Sequence, residues 1–529
     1  MRRRIVAGLL ALAACAGGPP SEGGASPLAS ASREERLTIG AHNEVLHVSA
    51  GERLVFAASR RGVITYDALF RGWLPPLETD EVRGAPTVLA ADPTEDAVWI
   101  GSAGRVVYYR PRIDYAITTA FAGTPQEIFF DRRDPAGGAF VRVGASFVRI
   151  NRTGGSSQVP LGALPAAPDR LGSATGREVL RAYPALEASL PLLTRDEDLE
   201  QWPVSSAAAS PGRSEVWLGT RGNGLLRVDP VFNRAEHLPF GLLEPGVGAL
   251  ALAADGVWIG GIGAPGERGG LVFASADLQR WRWVDGPPSR PFVGTRVNAL
   301  SIRDRTAWVG TNRGLIRVRI EADDRIDRWD AMSGLPSDVV TSVAAGDSGA
   351  WVGTLAGLAW VDRAVRVVTP RIVIRDILLW TDTLWIASNG GLLGMASSDS
   401  APRRLTIGEG RLDRDIAAIA RADSVLVVAT GAELIEIDLL GRRVLPPRAA
   451  SVAALQRITR VAMDARTIWL AGEGGVLVLD RASGRSTLLA TGLALSAPAT
   501  SVALGREVAW IGTLNGLVRV RRRSDGMPP

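Results

Sequence analysis

The side chains that most often carry catalysis or hold metals are scarce in this sequence. Three histidines occur in 529 residues, His42, His47 and His237. His42 and His47 are five apart, an odd spacing that sends their rings to opposite faces of a strand, so they do not assemble a metal or catalytic site. Gly261-Ile-Gly-Ala-Pro-Gly266 has the letters of a dinucleotide-binding loop, but a strand-like run, Gly270 to Ala274, follows it, and Pro265 stands where the helix would start. It reads as an insertion in a hairpin turn. Asp196, Glu197, Asp198 and Glu200 cluster in a helix-patterned stretch and read as a solvated face rather than a cation site. These residues name no reaction, no catalytic residue, no metal and no cofactor. What remains is a set of hydrogen-bonding side chains on loops that would share one face: Asn298, Asn312, Arg313, Asp338, Asn389 and Asn515. Their donors and acceptors suit a sugar or a peptide backbone, and the competing reading of each is an ordinary turn residue.

The elements that present those loops repeat. Trp308-Val-Gly-Thr-Asn-Arg-Gly-Leu315, Trp351-Val-Gly-Thr-Leu-Ala-Gly-Leu358 and Trp510-Ile-Gly-Thr-Leu-Asn-Gly-Leu517 are near copies. Further copies begin at Trp99, Trp217, Trp258, Trp385 and Trp469, and weaker ones at Phe56, Phe140 and Val427. Eight of the 15 tryptophans occupy this one slot, which marks it as structural. A period near 42 residues with four short strands and glycine-containing turns specifies a β-propeller blade. In the seventh unit the strands read Val339–Ala345, Ala350–Thr354, Leu358–Val361 and Ala364–Val368. Small residues such as Ser342 and Ala344 belong on the strand nearest the axis, and the Trp fills the gap between blades. Asp67, Asn151, Asp229, Asp362, Asp438 and Asp480 follow the third strand and read as turn-closing side chains, since one carboxylate per blade cannot gather the oxygens calcium takes.

The expected fold is therefore all-β: a β-propeller of about 11 four-stranded blades, with a short helical insertion near 165–200. Single rings hold four to eight blades, so eleven imply two rings. The last unit lacks a fourth strand, and Arg36-Leu37-Thr38-Ile39, which alternates as a strand does, is positioned to supply it. In that arrangement the first and last blades share a ring and the second ring is inserted between them. The alternative is two rings in sequence.

Gly334-Leu335-Pro336-Ser337-Asp338 followed by Trp351 to Leu358 resembles the two-component-regulator propeller repeat, and the resemblance covers 36 to about 522. In that family such propellers form the periplasmic sensing half of hybrid kinases, which implies a sensing role here. This chain has no kinase and no membrane-spanning segment, so signalling in cis is not implied. Of the WD40 signature only Trp329-Asp330 is present.

The N-terminus reads as an address. Arg2, Arg3 and Arg4 precede an apolar run of ten residues, half of what a spanning helix needs, so 1–14 reads as a signal peptide. Leu12-Ala13-Ala14-Cys15 resembles the bacterial lipobox, and Cys15, the single cysteine, is the expected lipidation site. Residues 15–35 read as a disordered tether and 523–529 as a disordered tail. Removing Arg2, Arg3 and Arg4 takes the formal charge from +5 to +2, and the 60 basic residues, all arginine, are interspersed with 55 acids. Nucleic acid is therefore not an expected partner. The expected protein is a cell-envelope lipoprotein, anchored at the outer membrane, that binds a glycan, a peptide or an envelope protein without catalysis. The alternative is a propeller-type polysaccharide lyase or hydrolase.

Overall fold

The structure, a computed structural model, describes residues 35–529 except 79–81, 83, 132, 135–136, 166–175, 197–198, 264–267, 286–291, 321–324, 397–398, 408–409, 432 and 447–451. The expected signal peptide, Cys15 and all but the last residue of the tether lie outside the described residues. So do two members of the acidic cluster and 264–266 of the glycine run.

The eight-residue motif becomes legible when each position is placed on its blade, whose strands are lettered A to D outward from the axis. The Trp faces the next blade: Trp308 packs with Val340, Val343 and Val352 of the blade that follows. Two positions on, a Cβ at Gly310 would lie 2.5 Å from Val340 Cγ1, so glycine is what lets the next strand A approach. The Thr ends strand B, and its hydroxyl closes the turn: Thr311 Oγ1 donates to Gly314 O at 2.8 Å, and Thr354 and Thr513 repeat this with Gly357 and Gly516. The second glycine opens strand C with positive φ, +155° at Gly357 and +124° at Gly516. The Asp and Asn residues after strand C cap the C–D turn, as Asp229 does by accepting from the backbones of Val231 and Phe232.

Eleven four-stranded antiparallel sheets result among the described residues. Blades 1 to 10 are meanders of four consecutive strands, whose strands A are, in order, Val45–Ala50, Val88–Ala91, Glu127–Phe130, Val204–Ala209, Gly246–Ala253, Val297–Arg303, Val340–Ala345, Ile374–Trp380, Ile416–Ala422 and Ile458–Met463. Blade 11 consists of Ala499–Leu504, Val508–Thr513 and Gly516–Arg521, with Arg36–Ile39 antiparallel to its strand C as the fourth strand. The seventh blade runs Val340–Ala345, Ala350–Thr354, Gly357–Val361 and Val365–Pro370, one or two residues from expectation.

Blades 5 to 11 form a seven-bladed ring in which each strand A packs on the next and blade 11 returns to blade 5. The closing contact repeats the internal rule, because Gly512 receives Val247 of blade 5. Blades 1 to 4 form a second group with contacts from blade 4 to blade 1, from 1 to 2 and from 2 to 3. The expectation that the first and last blades share a ring is thus corrected. The first strand joins the last blade, but blade 1 belongs to the other group, because Gly219 of blade 4 receives Val45 and Val48. The four-bladed group is inserted between the first strand and blade 5.

Among the described residues two α-helices, α1 (Gly176–Arg181) and α2 (Pro184–Leu193), precede blade 4. Pro184 starts α2 where a missing N–H costs nothing. Val179 and Leu186 pack onto Val216, Leu218, Leu226 and Val228, the face of blade 4 that a preceding blade would cover. The expected tail is also corrected. Met527 is 7% exposed in the core between blades 10 and 11, and Arg522 Nη1 donates to Gly505 O at 2.7 Å.

The two groups lie side by side facing the same way. Arg61 in the B–C turn of blade 1 donates to Asn515 Oδ1 (2.7 Å) and Asn515 O (3.0 Å) in the B–C turn of blade 11. At the opposite face, Gln279 in the C–D turn of blade 5 exchanges two hydrogen bonds with the Trp73 backbone at the start of strand D in blade 1. One core joins blades 1, 4, 5 and 11 through Leu37, Tyr66, Trp73, Phe240, Trp281 and Trp510.

Candidate functional site

Every strand A of the seven-bladed ring carries a one-residue bulge near its start, at Gly248, Asn298, Thr341, Arg375, Ala417, Thr459 and Thr500. A bulge re-aims a side chain out of the ladder. Here it aims at the next blade: Asn298 Nδ2 donates to Val340 O (3.0 Å), Thr341 Oγ1 to Ile374 O (2.6 Å), Thr459 Oγ1 to Ala499 O (3.2 Å) and Thr500 Oγ1 to Val247 O (2.5 Å). Arg375 makes the same crossing through Asp415, at 3.1 and 3.3 Å. Gly248 makes no such clasp because a Cβ there would sit 1.9 Å from Val297 O.

These seven residues line an axial funnel of about 740 Å³. Arg296, Arg457, Glu473 and Gln456 complete its polar wall. Arg457 Nε donates to Glu473 Oε1 at 2.8 Å. Arg460 spans the floor from blade 10 to the far side, where Nη2 donates to Asn298 O (2.6 Å) and Thr341 O (3.1 Å). Asp376, beside the Arg375 bulge, accepts from the backbones of Ile377 (3.0 Å) and Ile419 (3.1 Å). Burial raises its carboxyl above the usual range, and Arg460 and the two backbone donors oppose that rise. The funnel therefore holds four arginines against Asp415 and Glu473, and can hydrogen-bond a polar ligand with a preference for negative charge.

Of the six loop residues selected from sequence, Asn298 alone lines this funnel, and its amide nitrogen is engaged in the clasp. Asn312 and Asn389 close D–A connections by accepting from the backbones of Arg296 (2.8 Å) and Val373 (3.2 Å). The Arg313 backbone belongs to the Thr311 turn. Asp338 accepts from the Ala331 backbone (2.7 Å), and Asn515 holds Arg61 across the two groups. Sequence reasoning missed Arg296, Arg375, Arg457 and Arg460. The signal available was their position at the start of strand A, the segment that meets the axis in each blade.

The histidines lie outside the funnel. His42 is fully buried between the groups, with Nδ1 2.9 Å from Ser59 Oγ and Nε2 3.1 Å from Glu78 Oε1. The order Ser, His, Glu is that of a hydrolytic triad. However, Ser59 is 2% exposed and its oxygen already accepts the Arg61 N–H, so the hydroxyl meets no substrate. The trio locks the chain where it crosses between the groups. Among the described residues no cluster of three or more His, Cys, Asp or Glu side chains is arranged to hold a metal.

No family model and no curated protein matches the chain. Among solved structures it is similar to PorZ, a bacterial surface component of the type-IX secretion system of Porphyromonas gingivalis, at 13% identity over 90% of this chain and 68% of that one, TM-score 0.43. It is also similar to the extracellular domain of a putative one component system from B. thetaiotaomicron, at 13% identity over 93% and 72%, TM-score 0.28. Virginiamycin B lyase from Staphylococcus aureus aligns at 14% identity over 53% of this chain and 96% of its own, TM-score 0.43. Among the described residues no helix is long and apolar enough to cross a membrane.

Proposed function

We propose that this chain is a binding or sensing module of the cell envelope, without catalysis of its own, that takes a polar, anionic ligand in the funnel of the seven-bladed ring. The observation that carries this reading is the funnel wall. Its carboxylates are held in ion pairs with arginines, while Arg296 at the rim is exposed and makes no side-chain ion pair among the described residues. Such a wall offers recognition without an uncommitted acid–base pair. A glycan bearing uronic acids or an acidic peptide fits it, and an envelope protein presenting either would be a natural partner. A lipid on Cys15 would hold the module at a membrane, the outer membrane in a host that has one.

Calorimetric titration with a neutral oligosaccharide, its uronate counterpart and an acidic peptide tests the reading. An anionic ligand should bind, and an Arg296→Ala, Arg457→Ala double variant should bind it at least tenfold more weakly. Undiminished binding by that variant would remove the funnel as the site, and cleavage of the oligosaccharide would favour the lyase or hydrolase alternative. For the anchor, labelled palmitate should enter the wild-type chain and not Cys15→Ser.

A further inference from the structure

Four blades place an arginine on strand C directly across from the large-residue slot: Arg149 opposite Phe140, Arg227 opposite Trp217, Arg317 opposite Trp308 and Arg519 opposite Trp510. Three of them meet a carboxylate. Arg149 pairs with Asp134. Arg227 Nε donates to Glu215 at 3.0 Å, with Glu236 at 3.4 Å. Arg317 donates twice to Asp327 Oδ2, at 2.9 and 2.6 Å. In blades 4 and 6 an acid comes from the strand-D residue facing the arginine, Glu236 or Asp327. In blade 11 strand D is the first strand of the chain, and the facing residue is Leu37.

Arg519 therefore has no counterpart to Asp327. Its side chain makes no hydrogen bond or ion pair among the described residues, and its Nε is buried without a partner. Arg521 follows on the same face about 7 Å along the strand. Burial first, and then the charge of Arg521, lower the Arg519 guanidinium from its ordinary value, with Asp277 opposing. An uncompensated guanidinium in this setting is costly unless something anionic reaches it.

Both arginines line a cleft of about 740 Å³ between the two groups, walled by Leu37, Trp73, Pro76 and Ile113. The acids nearby are engaged or at the rim. Asp114 accepts from Tyr109 Oη (3.2 Å), Asp277 accepts from the Gln279 backbone (3.1 Å), and Glu507 is exposed.

We infer that this cleft binds a ligand with a carboxylate on an apolar body, the carboxylate lying between Arg519 and Arg521 and the apolar part against Trp73 and Ile113. The ligand's carboxylate takes the place that Asp327 takes in blade 6. A planar guanidinium matches a carboxylate with two parallel hydrogen bonds, and the Pro, Trp and Ile wall gives the rest of the ligand an apolar surface to cover. A peptide C-terminus with an apolar last side chain and a medium-chain organic acid share this chemistry. The site is separate from the funnel and does not depend on what the funnel binds.

The test is calorimetry on the full-length chain with two matched pairs of probes, N-acetyl-Leu-Phe against its C-terminal amide and octanoate against octanamide. At least one acid should bind, and its amide should bind at least tenfold more weakly. The peptide acid alone binding identifies a C-terminus, and octanoate alone identifies a small amphiphile. Arg519→Gln and, separately, the exposed Arg521→Gln should each weaken the acid at least threefold. Without ligand, Arg519→Gln should keep or raise the wild-type thermal midpoint, whereas Arg317→Gln, which removes both hydrogen bonds to Asp327, should lower it. Equal binding of acid and amide, no binding of either acid at millimolar concentration, or an Arg519→Gln variant as destabilised as Arg317→Gln would each overturn the inference.

Discussion

The seven-bladed ring and the four-bladed group are built from the same repeat of about 42 residues, yet they hide their terminal faces in different ways. In the ring, blade 11 meets blade 5 as any blade meets the next, with Val247 against Gly512, and the first strand completes its outer edge. In the group, blade 3 carries Arg142 where the other blades have glycine or alanine two positions after the large residue. That side chain leaves no room for a following strand A. On the same face Phe129 stacks on Phe140, with ring centroids 5.5 Å apart, and meets Phe147 edge-on at 6.1 Å. The opposite terminal face, on blade 4, is covered by α1 and α2. A blade face can thus be buried by another blade or by an amphipathic helix pair. A single small residue in strand B decides whether another blade can dock.

The comparison can be broken first at the closing strand. Deleting 36–39 removes Leu37 and Ile39, both buried, each contributing about 1.5–3 kcal/mol, together with the hydrogen bonds of a full strand. The thermal midpoint of the seven-bladed ring should fall by about 10 °C or more, read by calorimetry. A change within about a degree would mean that the ring does not depend on that strand.

Next in size is the large-residue slot. Trp510 is 1% exposed at the closing interface, and Trp510→Ala should cost about 3–5 kcal/mol in urea unfolding. Trp351 is half-buried and stands 5.0 Å from Trp360, so Trp351→Ala should cost clearly less. Equal losses would show that the slot works through something other than burial.

The helical cover gives a smaller and more local effect. Leu186→Ala, at 1% exposure, should cost about 3 kcal/mol. The loss should appear as faster hydrogen exchange in Val204–Ala209 and Val216–Thr220, with the seven-bladed ring unchanged.

The smallest effect concerns Asp376. A carboxyl raised in the folded state contributes stability that is present below its ordinary value of 3.8 and is lost as pH rises through the raised value. Asp376→Asn should therefore flatten the decline in stability on going from pH 4 to pH 7, measured as the ratio of urea midpoints at the two pH values. A steeper decline in the variant would contradict the burial argument.

The blades were legible because each motif residue answers to a local demand: Trp for the gap, glycine for the neighbouring strand, Thr and the second glycine for the turn. Ring membership was harder to read. It rests on Val45 meeting Gly219 and Val247 meeting Gly512, contacts between residues far apart in sequence with nothing local to announce them. Arg142 was a visible sign that blade 3 ends a row, but only for a reader who knew what the glycine was for. The loop residues chosen from sequence were polar for the same reason that turns are polar, and five of the six serve turns or the junction between the groups. The funnel arginines were hidden among 60 arginines because a bulge, which decides where Arg375 points, leaves no mark in composition.

The pairing of Arg36–Ile39 with Gly516–Arg521 also sets an order of events in time. The strand that closes the ring is among the first parts of the fold to leave the ribosome, and its partner is among the last. At about 5–20 residues per second the earlier strand waits roughly half a minute or longer for the later one. Blades 1 to 4 have all their strands before then and can fold without it. Blades 5 to 10 can stack meanwhile as an open row, but the ring that contains the funnel closes only when the chain's two distant segments meet. A nascent chain halted before Gly516 would leave that row ending on an unpaired edge, the feature that invites pairing with a second copy.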